Sequence, residues 1–106
     1  MHPLAVALAV TLAVEVPVVV ALYPRQRLRM GITCALATTF TYVMMNTLVR
    51  RYATSWEQYI LIGEFSAVAV EAAVYALVSR PRDVLRALLA SGIANGLSFG
   101  AGLLIF

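Results

Sequence analysis

The chain has 106 residues, 62% of them hydrophobic and 12% charged, with a mean hydropathy of +0.89. A water-soluble domain of this size needs more polar surface to cover its core, so the composition excludes one. It points instead to apolar stretches of about 20 residues that cross a bilayer. The net charge of +3 comes from arginine alone, since no lysine is present, and the arginines cluster in short connectors. That pattern suits membrane topology rather than nucleic-acid binding.

The first apolar run covers 4–22. Met1, His2 and Pro3 lack the basic residues that open a secretory signal, so the run is read as a retained helix. It contains LAVEVPVVVAL, in which Glu15 sits among aliphatic residues and Pro17 follows two positions later. Proline removes one bond of the helical ladder, here the one to the carbonyl of Ala13. A freed Ala13 carbonyl beside a carboxylate is a hard oxygen site suited to Na⁺, Ca²⁺, Mg²⁺ or a proton.

After the connector YPRQRLR comes a second run at 28–49, in which Thr38, Tyr42 and Asn46 recur at helical spacing. The connector VRRYATSWEQY leads to a third run at 57–78, where Glu64 and Glu71 are seven apart and share one stripe. The connector SRPRDVLR leads to a fourth run at 84–106, with Ser91, Asn95 and Ser98 on one stripe. Pro24 and Pro81 mark helix ends. Connectors this short make neighbouring helices antiparallel. The expected fold is therefore an all-α integral membrane protein, a bundle of four transmembrane helices forming one membrane domain over 1–106.

Arginine sets the expected orientation. Arg25, Arg27, Arg29, Arg80, Arg82 and Arg86 lie in the first and third connectors, which the positive-inside tendency assigns to the cytoplasm. The middle connector, with Arg50 and Arg51 offset by Glu57, faces outward together with both termini. Tyr52, Trp56 and Tyr59 fit an outer aromatic belt, and Tyr23 fits an inner one. Arginine as the sole basic residue hints at a GC-rich, bacterial source and hence at the inner (cytoplasmic) membrane.

The halves of the chain resemble each other. LAVEVPVVVAL aligns with VAVEAAVYALV, so that Glu15 falls on Glu71, 56 residues on. After one inserted residue PRQRLR aligns with PRDVLR, Thr38 meets Asn95, and Thr41 meets Ser98. Repeats at 8–46 and 64–103 would be parallel, related by a pseudo-twofold axis along the membrane normal, with Glu15 facing Glu71.

With each helix centred in the bilayer, Glu15 and Glu71 lie roughly 3 and 6 Å to the cytoplasmic side and Glu64 roughly 4 Å outward. Facing lipid would cost about 2.5–3.5 kcal/mol per central charge, so the stripes are expected to meet inside the bundle. No Lys, Arg or His lies at that depth to neutralise the carboxylates, so a proton or a bound cation must do so. The candidate binding residues are Glu15, Glu71, Asn95, Glu64, Ser98 and Ala13, with Glu15 and Glu71 as the metal ligands if a metal binds. Cys34 is the single cysteine, which excludes an intramolecular disulfide and a thiolate cluster within one chain.

No nucleophile–base pair, His-bearing metal cluster, phosphate-binding glycine loop or haem ligand is recognisable, so neither enzyme activity nor a cofactor is expected. In outline, with four short helices and a glutamate in the first, the chain resembles the small multidrug exporters. It departs from them in its extra core carboxylates and in the shared Glu and Pro-Arg-x-x-Leu-Arg pattern, so no residue roles are carried over. The expectation is a transporter or channel component for a cation or proton, working in the lipid bilayer as a homo-oligomer or with a larger membrane partner. The alternative is a non-transporting accessory or assembly subunit whose polar residues are interhelical glue worth ~0.6–2 kcal/mol each. Gly96-x-x-x-Gly100 fits close helix packing in either case.

Overall fold

The structure, a computed structural model, describes residues 3–105, and the side chains of residues 5–49 and 51–104. Met1, His2 and the side chain of Arg50, all used in the topology reading, lie outside the described residues. The chain is all-helical, with four helices long and apolar enough to cross a membrane. They are α1 (Pro3–Leu22), α2 (Arg27–Met44), α3 (Trp56–Val78) and α4 (Val84–Ile105). The bundle is 40 Å long, enough to cover a hydrocarbon core of about 30 Å with its interfaces.

Local chemistry sets the helix ends. At the start of α3 the Ser55 hydroxyl accepts from the Gln58 amide at 3.1 Å, and the Gln58 side chain accepts in return from the Thr54 amide and hydroxyl. Ser55 thus caps the helix, while Gln58 ties the residue before the cap to the first turn, one position short of a reciprocal capping box. At the start of α4 an Asp83 carboxylate oxygen accepts from the Arg86 amide at 3.0 Å. Pro17 does not interrupt α1, which runs through it. The second span continues past α2 through a π-helical turn, Met45–Val49, and a last turn, Arg50–Tyr52. Gly63 of α3 lies against this stretch, and a Cβ there would collide with the end of Met45.

Packing runs around a ring. The α1 helix lies chiefly against α2 and α4, and α3 against the same two, so α1 and α3 are diagonal partners. The distribution of side chains is the reverse of a water-soluble bundle. Leu28, Leu36, Phe65, Leu77, Leu88 and Leu104 are exposed, whereas Glu15, Thr38, Glu71, Ser91 and Asn95 are buried among small residues such as Ala87, Ala90 and Ala94. Such an apolar outer surface is compatible with insertion in a bilayer and is uncommon on proteins that meet only water.

Buried positions recur between the halves. Val19 and Tyr75, Tyr23 and Ser79, Met30 and Ala87, Cys34 and Ser91, and Thr38 and Asn95 are each buried at both members of the pair. Where one member is large the other is small, as with Val19 against Tyr75 and Met30 against Ala87. Tyr23, expected in an interfacial belt, is instead 1% exposed, with the Arg86 guanidinium 5.8 Å from its ring centre. Trp56 and Tyr52 are exposed, and the rings of Trp56 and Tyr59 stand 5.4 Å apart.

Candidate functional site: a carboxylate pair between diagonal helices

Glu15 on α1 and Glu71 on α3 point into the centre of the ring, 1% and 0% exposed, and they meet on one hydroxyl of α2. Thr38 Oγ1 lies 3.0 Å from Glu15 Oε1 and 3.4 Å from Glu71 Oε1. The remaining carboxylate oxygens have partners from the other diagonal. The Thr41 hydroxyl donates to Glu71 Oε2 at 3.1 Å, and the Ser98 hydroxyl to Glu15 Oε2 at 2.5 Å. Thr41 and Ser98 each have the same second option, the carbonyl three residues back, Thr38 and Asn95 respectively, both at 3.1 Å. The Tyr75 phenol, one turn along α3, donates to Glu71 Oε1 at 3.1 Å.

The other sequence-derived candidates fall in three places. Asn95 is 5% exposed beside the pair, but its amide nitrogen donates to the Ser91 carbonyl at 2.8 Å, within its own helix. Glu64 is half-buried and lines the same chamber as Glu15, with no hydrogen bond to either carboxylate. Ala13 is not brought to the site. Ala9, Ala13, Pro17 and Ala21 form an exposed stripe along α1, on the face away from buried Glu15 and Val19. A hydrogen bond lost to Pro17 therefore opens toward the outside of the bundle rather than toward the carboxylate pair.

Sequence reasoning did not select Thr38, Thr41 or Tyr75 as site residues. The signals were present: Tyr75 is four residues from Glu71 on one helix face, and Thr41 aligns with Ser98 at an offset of 57.

Glu15 forms the inner end of a chamber of about 570 Å³. Its walls include Tyr42, Met45, Trp56, Tyr59 and Phe99, and it extends toward the end of the bundle where α3 starts and α4 finishes. Among the described residues none of the lining side chains is basic. On the far side of the pair Val19, Tyr23, Met30, Cys34 and Tyr75 pack with no more than 1% exposure, which closes the interior there. Among the described residues no group of three or more His, Cys, Asp or Glu could hold a metal ion. The pair is thus a two-carboxylate site whose further ligands are hydroxyl oxygens. That donor set suits a proton or a hard cation and not a soft transition metal.

Fold and site together define a class: a four-helix chain with an apolar outer surface and a hydroxyl-ringed carboxylate pair at its centre. Comparison with protein families, curated proteins and solved structures finds no match to this chain.

Proposed function

We propose that the chain is a transporter or channel component that handles a cation or proton through Glu15 and Glu71. The observation that carries this reading is the position of Thr38 between the two carboxylates. A hydroxyl has one proton, so Thr38 can donate to only one of them; a full bond with the other needs a proton on that second carboxyl group. Two like charges at this separation in a dry interior also need compensation, and no basic side chain supplies it. A shared proton satisfies both demands. A hard cation would do so by taking carboxylate and hydroxyl oxygens as ligands and turning the hydroxyl protons away.

Further support comes from the chamber, which gives Glu15 access from one end of the bundle, and from the closed packing beyond the pair. A site reachable from one side, with a seal on the other, is what a carrier needs in one of its states. We also infer that the two halves are parallel repeats about an axis along the bundle. The reciprocal bonds of Thr41 to Glu71 and of Ser98 to Glu15 support that reading, because repeat-related residues make equivalent contacts. In this proposal the chain sits in a bacterial cytoplasmic membrane with both termini outside.

The test is thermal unfolding of the detergent-purified protein against Na⁺, K⁺, Mg²⁺, Ca²⁺ and pH. The bound species stabilises by about 2.7 kcal/mol at a hundred times its dissociation constant. Because cation and proton compete for the same oxygens, a cation effect grows as pH rises and fades as it falls. Glu15→Gln and Glu71→Gln each abolish the response; a response unchanged in both variants rejects the site. Flux of the same species into liposomes then separates transport from static binding.

One observation favours the second reading, an accessory subunit. Gly92, Gly96 and Gly100 lie four residues apart on α4 with open space above each, a surface shaped for another helix. On that reading the carboxylate pair is bundle glue and liposomes show no flux.

A further inference from the structure

A second cavity, of about 370 Å³, lies at the opposite end of the bundle between the two Pro-Arg connectors. The guanidinium-bearing residues Arg25, Arg80 and Arg86 line it, with Asp83 as the one carboxylate among its lining residues. The charges there are far from balanced. Asp83 uses one carboxylate oxygen to cap α4, and the other stands 4.0 Å from Arg86 Nε. Arg25 and Arg80 form no ion pair among the described residues.

The cavity is also held in shape. The Gln26 side chain donates to the Arg80 carbonyl at 2.7 Å and accepts from the Arg80 amide at 2.8 Å, fastening one connector to the other. This staple uses only the backbone of Arg80, so its side chain remains available. Tyr23 also lines the cavity, with the Arg86 guanidinium 5.8 Å from its ring centre. Arg25 and Arg80, without an ion pair among the described residues, leave a site whose cationic donors outnumber its one carboxylate.

We propose that this cavity binds a phosphate group, held by Arg25, Arg80 and Arg86. Guanidinium forks match phosphate oxygens in pairs, and a tetrahedral anion supplies the acceptors that Arg25 and Arg80 lack. The same chemistry occurs in a phospholipid headgroup and in free inorganic phosphate. The cavity stands where helix ends meet connectors, at headgroup height if the chain spans a bilayer. The inference is independent of the ion or proton carried by the glutamates.

The experiment uses the full chain, purified in detergent, with thermal unfolding and native mass spectrometry as readouts. One arm titrates inorganic phosphate against sodium chloride at equal ionic strength. The other adds phosphatidylglycerol against a galactosyl diacylglycerol, which has the same tails and no phosphate. Stabilisation and adducts with phosphatidylglycerol alone identify a lipid headgroup; a response to both probes identifies a site open to free phosphate. In each case Arg25→Gln with Arg80→Gln weakens binding at least about tenfold, as loss of charge-assisted bonds predicts. Both positions are exposed, so the variant folds, and its unliganded melting temperature checks this. The proposal is overturned if neither probe differs from its control, or if the double variant binds as well as the parent.

Discussion

Thr38 is the residue on which both carboxylates converge, and it was legible in the sequence only as a member of a polar stripe. Thr38→Val keeps the shape and removes the hydroxyl, leaving one carboxylate oxygen on each side without that partner. The expected loss is about 1–3 kcal/mol of stability, measured by unfolding in detergent, with Thr38→Ser close to the parent. Equal stability of the Val and Thr forms would show that the bridge contributes nothing. Tyr23 offers a separate test outside the spans. Burial pushes its phenol above the ordinary value of 10.0; Ser79 and Arg86 pull it back, and Asp83 adds to the rise. The folded state therefore favours the neutral phenol. That contribution is intact below pH about 10 and is lost as pH climbs through the higher folded value. Unfolding of Tyr23→Phe compared with the parent across pH 9 to 12 isolates the effect, as extra alkaline stability in the variant. Curves that stay parallel would exclude it.

At the scale of the helix, α1 shows how a sequence signal can be right about chemistry and silent about direction. Pro17 does lack its amide, yet α1 continues through it, and the proline sits on the exposed Ala9, Ala13, Ala21 stripe. Apolar surroundings tolerate proline in a helix when neighbours or local adjustment serve the freed backbone. Pro17→Ala is accordingly expected to shift stability by no more than about 0.5 kcal/mol and to leave the response to cations or pH unchanged. A variant that loses that response would return the Ala13 carbonyl to the site. The starts of α3 and α4 are fixed by local caps, Ser55 on the Gln58 amide and Asp83 on the Arg86 amide, which the hydropathy reading of the spans did not use. Ser55→Ala should cost about 1 kcal/mol in the same unfolding assay. The π-helical turn at Met45–Val49 was not legible, since it depends on how the second span passes Gly63 of a different helix.

For the whole molecule the decisive arrangement is the ring order, with α1 and α3 on one diagonal and α2 and α4 on the other. It carries the carboxylates on one diagonal and places the hydroxyls of Thr38, Thr41 and Ser98 on the other. It also makes the interior one-sided: a chamber toward one end and closed packing toward the other. Cys34, 0% exposed, lies within the closed half. A hydrophilic maleimide should leave it unmodified in the folded protein and modify it fully after denaturation. In a Cys34→Ala background, Asn46→Cys on the chamber wall should react without denaturation. Reaction at Cys34 in the folded chain would show that the seal is not present.

The amino-acid sequence by itself determined the four long apolar helices and the offset of 56 residues between Glu15 and Glu71. Those properties follow from hydropathy, helical rise and residue order, which act within one segment. Only the tertiary structure decided that one threonine touches both carboxylates, that Ala13 faces outward, that Tyr23 is buried beneath Arg86, and that the chamber opens from one end. Each of these depends on how far a helix is rotated about its own axis against its neighbours. That rotation is fixed jointly by small residues, hydroxyls and bulky side chains on all four helices, and no single stretch of sequence contains it.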